Sequence, residues 1–190
     1  MNDKLTGGFA LCGSFCTFKT AIEALRELMP LYNIIPIMSE AAFSTDTRFG
    51  TAAEHTGQIT RLCGREILHT IAQAEPIGPK KLLDFLLIAP ATGNTISKLA
   101  LGITDTSVTM AAKAHLRNGR PLIIAVSTND GLSGSAEHIS RLSLRKNVYF
   151  VPYGQDDAAG KPTSLVADFS RLGETIAAAL DSRQVQPVLV

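Results

Sequence analysis

The stretch "LLDFLLIAPATGNT", residues 82–95, decides the fold. Its first eight residues form the most apolar run in the chain, too short for a free-standing helix and closed by Pro90. A short continuous apolar run bounded by a breaker reads as a strand buried on both faces. The residues after it change character at once. Ala91, Thr92, Gly93, Asn94 and Thr95 are small, hydroxylated or amide-bearing, and helical spacing follows from Asn94 to Leu101. A buried strand, a turn of small polar residues and a helix make one βα unit.

Working outward, the same unit recurs. Gly7–Cys12 is apolar and leads through Gly13-Ser14 into Phe18–Leu31, whose apolar residues fall at helical spacing. Asn33–Met38 ("NIIPIM") reads as a second strand, and Ser39–Gly50 as loop or helix start. Thr51–Cys63 is weakly helical, and "EILHTI" (66–71) alternates as a strand does. Thr106–Asn118 reads as a helix capped by Gly119, Pro121–Ser127 as a strand and Ser133–Lys146 as a helix. Val148–Val151 is a further strand, Leu165–Asp181 a final helix, and "QVQPVLV" has no assignment. Strands alternating with helices predict an α/β fold. We expect one doubly wound, Rossmann-like or flavodoxin-like parallel sheet flanked by helices, with residues 1–190 forming a single domain.

Composition narrows the function. The chain has 190 residues, 45% hydrophobic and 18% charged, with a formal net charge of +1. That balance describes a globular domain and gives nucleic acid nothing to hold. No apolar run reaches the roughly 20 residues of a membrane span, and the first residues lack a signal-peptide pattern. A cytoplasmic location is expected. Cys12, Cys16 and Cys63 fit neither a disulfide framework nor a zinc site, and His55, His69, His115 and His138 show no metal-ligand spacing. No metal is expected.

Open α/β sheets bind ligands at the carboxyl ends of their strands. There the sequence places Gly13 and Ser14, Ser39, the 91–95 turn, and Ser127 and Thr128. Small residues let an anion approach backbone N–H groups, and hydroxyls add donors. Read singly, each could be a cap or a turn; read together, they predict one crevice. There is no GxGxxG and no acidic residue closing the second strand, so the pattern is not a dinucleotide fingerprint. It suits a mononucleotide with one phosphate.

"APATGNTISKLALGITD" (89–105) resembles the signature of the flavoprotein family of homo-oligomeric, flavin-containing cysteine decarboxylases. "TDTRFGTA", "AEPIGPKKLLD", "GITDTSVTMAAKAHLRNGRPLIIAVSTND" and "NVYFVPYGQDD" resemble one branch of it, found in spore-forming bacteria. Members of that branch work as the B subunit of a synthase whose partner is a separate A subunit. The resemblance implies that the pair oxidises the small dicarboxylate dihydrodipicolinate to dipicolinate. It implies FMN as cofactor at Gly13, Ser14, Ser39, Ala91–Thr95, Ser127 and Thr128, any NAD(P) bound through the partner, and a homo-oligomer. Asn94 and Asn129 are then the amides expected at the flavin ring or substrate. A dianionic substrate calls for a cation; Arg48 in "TDTRFG" is the favoured candidate, with Lys98, Lys113, Arg117 and Arg120 behind it and Asp46 a competing local partner for Arg48.

Departures from the family bear on mechanism. Decarboxylases carry a catalytic His eight residues before the acid that Asp84 matches; Pro76 stands there. Their "PxMN" loop appears as Val126-Ser127-Thr128-Asn129, and the chain has no Trp. A cysteine decarboxylase is disfavoured. A catalytic oxidoreductase subunit and a non-catalytic assembly subunit without flavin both stay open.

Overall fold

The computed structural model describes residues 4–190. Four parallel strands form its body: β1 (Thr6–Leu11), β2 (Asn33–Met38), β3 (Phe85–Ala91) and β4 (Leu122–Thr128), in the order β2-β1-β3-β4. A fifth, β5 (Val148–Phe150), pairs in parallel with the first half of β4. Every residue of β3 is buried, the position that "FLLIAPA" requires, since a side chain on either face meets a helix layer. The strand runs through Pro90, past the end expected at Ala89. Proline has no N–H to donate, and the pairing register with β4 shifts between Ile88 and Ala91.

The helices cover both faces. They are α1 (Phe18–Leu28), α2 (Glu40–Ser44), α3 (Ala52–Cys63), α4 (Ile71–Ala74), α5 (Gly93–Leu101), α6 (Ser107–Leu116), α7 (Ala136–Ser143) and α8 (Leu172–Leu180). Local chemistry starts several of them. Thr51, Thr70 and Thr106 each accept from the N3 backbone N–H and are answered by the N3 side chain, giving three capping boxes. Gly64, Gly102 and Gly119 end helical segments in the left-handed region that glycine adopts freely.

Three expectations are corrected. "EILHTI" is not a strand: Leu68 makes one bridge to Ile37, and Thr70 then caps α4. Leu165–Asp181 is not one helix. Leu165–Ala167 forms β7, Asp168 accepts from Ser170 N–H to turn the chain, and α8 begins at Leu172. The sheet is mixed rather than wholly parallel, because β7 runs antiparallel to the carboxyl end of β4 and pairs with β6 (Tyr153–Gly154). The C-terminal tail lies along Tyr153, which donates to the Val188 carbonyl and accepts from Val190 N–H. The β6–β7 hairpin thus stands over the β4 end of the crevice.

Candidate functional site

The carboxyl ends of β1 to β4 converge as the βα pattern requires. Two hollows open there and share a ridge made by Gly13 and Thr92. The first, of about 570 Å³, is lined by Ser39, Asn94, Lys98 and Thr106 among others. The second, of about 540 Å³, has Ser14, Thr17, Ser127, Thr128 and Asn129 on one side and Phe15 and Phe49 among its walls. Asp156, Lys161 and Ser164 from the β6–β7 connection complete it.

Hydroxyl groups knit the floor of the second hollow. Ser14 Oγ and Ser127 Oγ share a hydrogen bond of 2.8 Å, joining loops 113 residues apart. Thr17 Oγ1 donates to the Ser14 carbonyl at 2.8 Å and lies 3.4 Å from Ser127 Oγ. Ser14 therefore does not cap the following turn. In the first hollow, Ser39 Oγ accepts from Ala42 N–H at 3.3 Å and Thr92 Oγ1 accepts from Thr95 N–H at 3.3 Å. Thr92, not Thr95, caps α5.

Other expected residues lie beneath the hollows rather than in them. Ala91, Gly93 and Thr95 are buried. A Cβ on Gly93 would stand 2.5 Å from Ser135 Oγ, 2.6 Å from Asp130 Oδ1 and 2.8 Å from Thr128 Oγ1. The glycine thus makes room for a protein network, in which Thr128 and Ser135 donate to Asp130 at 2.5 and 2.9 Å. These bonds hold the Asp130 carboxyl below its ordinary range, Thr128 most strongly. The Cys12 thiol is buried against Thr95 and Thr92 and pushed up to about 11 by burial, so it stays protonated at neutral pH.

Arg48 lines neither hollow. Its guanidinium sits 4.8 Å over the Phe49 ring, and Asp46 accepts from Ala52 N–H instead of pairing with it. Asn94 and Asn129 are both exposed and belong to different hollows. Lys113 and Arg117 lie at the far end of α6, and Arg120 pairs with Asp84 at 3.4 Å.

Each hollow has one lysine, tied to one aspartate: Lys98 to Asp105 and Lys161 to Asp156, both at 2.9 Å. Lys98 holds the Asp105 carboxyl low. Ser164 first, and Lys161 next, do the same for Asp156. Sequence reasoning missed Lys161, Ser164 and Thr17 as site residues. The first two sit in a hairpin whose strands are two and three residues long, and Leu165 reads as the start of a helix. None of the four histidines lines either hollow, and Pro76 occupies a short 3-10 turn, where it has no proton to exchange.

The donor set has a definite chemistry. Hydroxyls, an amide and an ammonium group around an open hollow match an oxyanion, and flat aromatic walls match a ring. Among the described residues no group of three or more histidine, cysteine or acidic side chains is placed to hold a metal ion. No helix there is long and apolar enough to cross a membrane.

Comparison with known proteins agrees with this architecture. The B subunit of dipicolinate synthase from Bacillus subtilis (strain 168) is 45% identical over 184 residues, covering 96% of this chain and 92% of that protein. The crystal structure of the dipicolinate synthase B subunit from Bacillus halodurans superposes with a TM-score of 0.91 at 43% identity, covering 100% of this chain and 98% of the other. DmrB of Burkholderia xenovorans, solved in complex with FMN, shares the fold with a TM-score of 0.69 at 18% identity, over 95% and 98% of the two chains. The Flavoprotein family model matches residues 1–173, and the chain belongs to that family.

Proposed function

We propose that this chain is the B subunit of a dipicolinate synthase, which oxidises dihydrodipicolinate to dipicolinate during sporulation together with an A subunit. The observation that carries the reading is the crevice itself: two hydroxyl-lined hollows, each with a lysine, on a chain similar along almost its whole length to dipicolinate synthase B subunits. Residues 1–190 act as one domain in this reading, in a cytoplasmic homo-oligomer.

FMN fits the donor set. One phosphate dianion needs several donors and a cation within a small volume, and Ser39, Thr92, Asn94 and Lys98 border one hollow. Gly13 stands at its ridge, with Ser14 beyond it in the second hollow, and the N-terminus of α5 adds backbone N–H groups. Bound FMN supplies a two-electron acceptor. Ser127, Thr128 and Asn129 would then offer donors and acceptors to a heteroaromatic edge. Any NAD(P) belongs to the partner.

Co-purification with an A subunit, followed by an assay of dipicolinate formation, tests the proposal. The pair is expected to form product at least about tenfold faster than either chain alone. Equal activity from the A subunit alone contradicts it. A second reading, an assembly subunit that keeps the fold without flavin, is favoured by Pro76 and by the absence of histidine from both hollows. A purified protein that binds FMN argues against it.

A further inference from the structure

The flavin reading leaves one charged pair of the second hollow unused. Lys161 is the only cation among its lining residues, and its ammonium faces Asp156. The backbone around it is firmly placed. Lys161 N–H donates to the Asp157 carbonyl at 2.7 Å, and Gly160 N–H to Asp157 Oδ1 at 2.8 Å. Gln155 Nε2 donates to the Pro162 carbonyl at 2.8 Å. The loop is also fastened to the end of β4: Thr163 Oγ1 donates to the Asn129 carbonyl at 2.6 Å, and Leu132 N–H to the Thr163 carbonyl at 2.9 Å. The Lys161 side chain itself is 54% exposed, so a well-anchored residue carries a head free to turn.

We propose that Lys161 anchors a carboxylate of a flat aromatic dicarboxylate in this hollow, exchanging Asp156 for the ligand. The inference rests on the proposed function for the ring chemistry, but the site is argued from its own residues. The Asp156 carboxylate already fills the role of a ligand carboxylate at 2.9 Å from Nζ. Asp156 is exposed to water, so Lys161 can leave it without stranding a buried charge. The Ser14 and Ser127 hydroxyls, which bond each other at 2.8 Å, leave one O–H of the pair for a remaining ligand oxygen, and the rings of Phe15 and Phe49 match a planar body. Lys161 thereby takes the position expected of Arg48, whose guanidinium lies on Phe49 outside the lining.

Calorimetric titration of pyridine-2,6-dicarboxylate into the full chain tests this, with FMN titrated in parallel into every sample. K161Q is expected to weaken dicarboxylate binding about tenfold or more, and K161R to stay within about threefold of the original chain. D156N removes the competing carboxylate and tightens binding. K146Q, an exposed charge before β5, leaves it unchanged, and FMN affinity is the same in all. Equal dicarboxylate affinity with and without Lys161 overturns the inference. So does a chain that binds FMN but no dicarboxylate, or a D156N variant that binds no more tightly. Loss of FMN binding throughout, with the Lys161 dependence intact, overturns the flavin reading instead and leaves the dicarboxylate site standing.

Discussion

The two ends of the sheet use their polar side chains in opposite ways. At the amino end, polar side chains tie themselves to backbone. Asp84 Oδ2 accepts from Thr6 N–H, Asn118 Nδ2 donates to the Gly78 carbonyl, and His115 Nε2 bonds the Pro121 carbonyl at 3.0 Å. Arg120 bonds the Leu83 and Lys81 carbonyls as well as Asp84. At the carboxyl end, hydroxyls bond one another across open hollows, and the two lysines there hold only exchangeable aspartates. Groups fully engaged by backbone stabilise a fold; groups that face space can take a ligand. Substitutions at the amino end should therefore change stability without changing binding, and those lining the hollows the reverse.

The largest expected effect marks the limit of that division. Gly93 lies at the carboxyl end but beneath the floor, against Thr128, Asp130 and Ser135. G93V should cost about 3 kcal/mol in urea unfolding, because the new side chain must displace a bonded network. A G93V protein as stable as the original would remove Gly93 from the structural side of the comparison.

The next effect belongs to the amino end and depends on pH. Burial pushes His115 down to about 4, well below the value it regains on unfolding. Between about 6.5 and about 4 the unfolded chain binds the proton that the folded chain refuses, so stability falls as pH falls through that window. His115 should account for about 3 kcal/mol of the loss, and H115Q should flatten the slope of unfolding free energy against pH. An unchanged slope would show that His115 is not held neutral.

K98Q comes third and tests the other side. Losing one charge-assisted bond to a phosphate should weaken FMN binding roughly 10- to 100-fold. Its pair with Asp105 lies at the surface and is screened by water, so unfolding should barely move. The smallest effect is expected for D84N, which weakens a half-exposed pair with Arg120 by about 1 kcal/mol and leaves FMN affinity untouched. A D84N variant that lost FMN affinity would break the comparison.

The body of the fold was legible because its strands are buried on both faces. A run such as "FLLIAPA" has no other stable setting. The crevice followed from that topology, and Gly13, Ser14, Ser39 and Thr92 could be placed from strand ends alone. The β6–β7 hairpin was not legible, since strands of two and three residues carry no period. Lys161 was lost with it. Gly93 showed a different limit: the sequence marks the absence of a side chain but not whether ligand or protein fills the space, and here protein does.

The hollow lined by Ser39, Asn94 and Lys98 is where a single phosphate is expected to bind. Titration of FMN and riboflavin, followed by flavin fluorescence, tests it directly because the two ligands differ only in that group. FMN is expected to bind, and riboflavin to bind at least about 100-fold more weakly. Equal affinity for the two, or no binding of FMN, would contradict it.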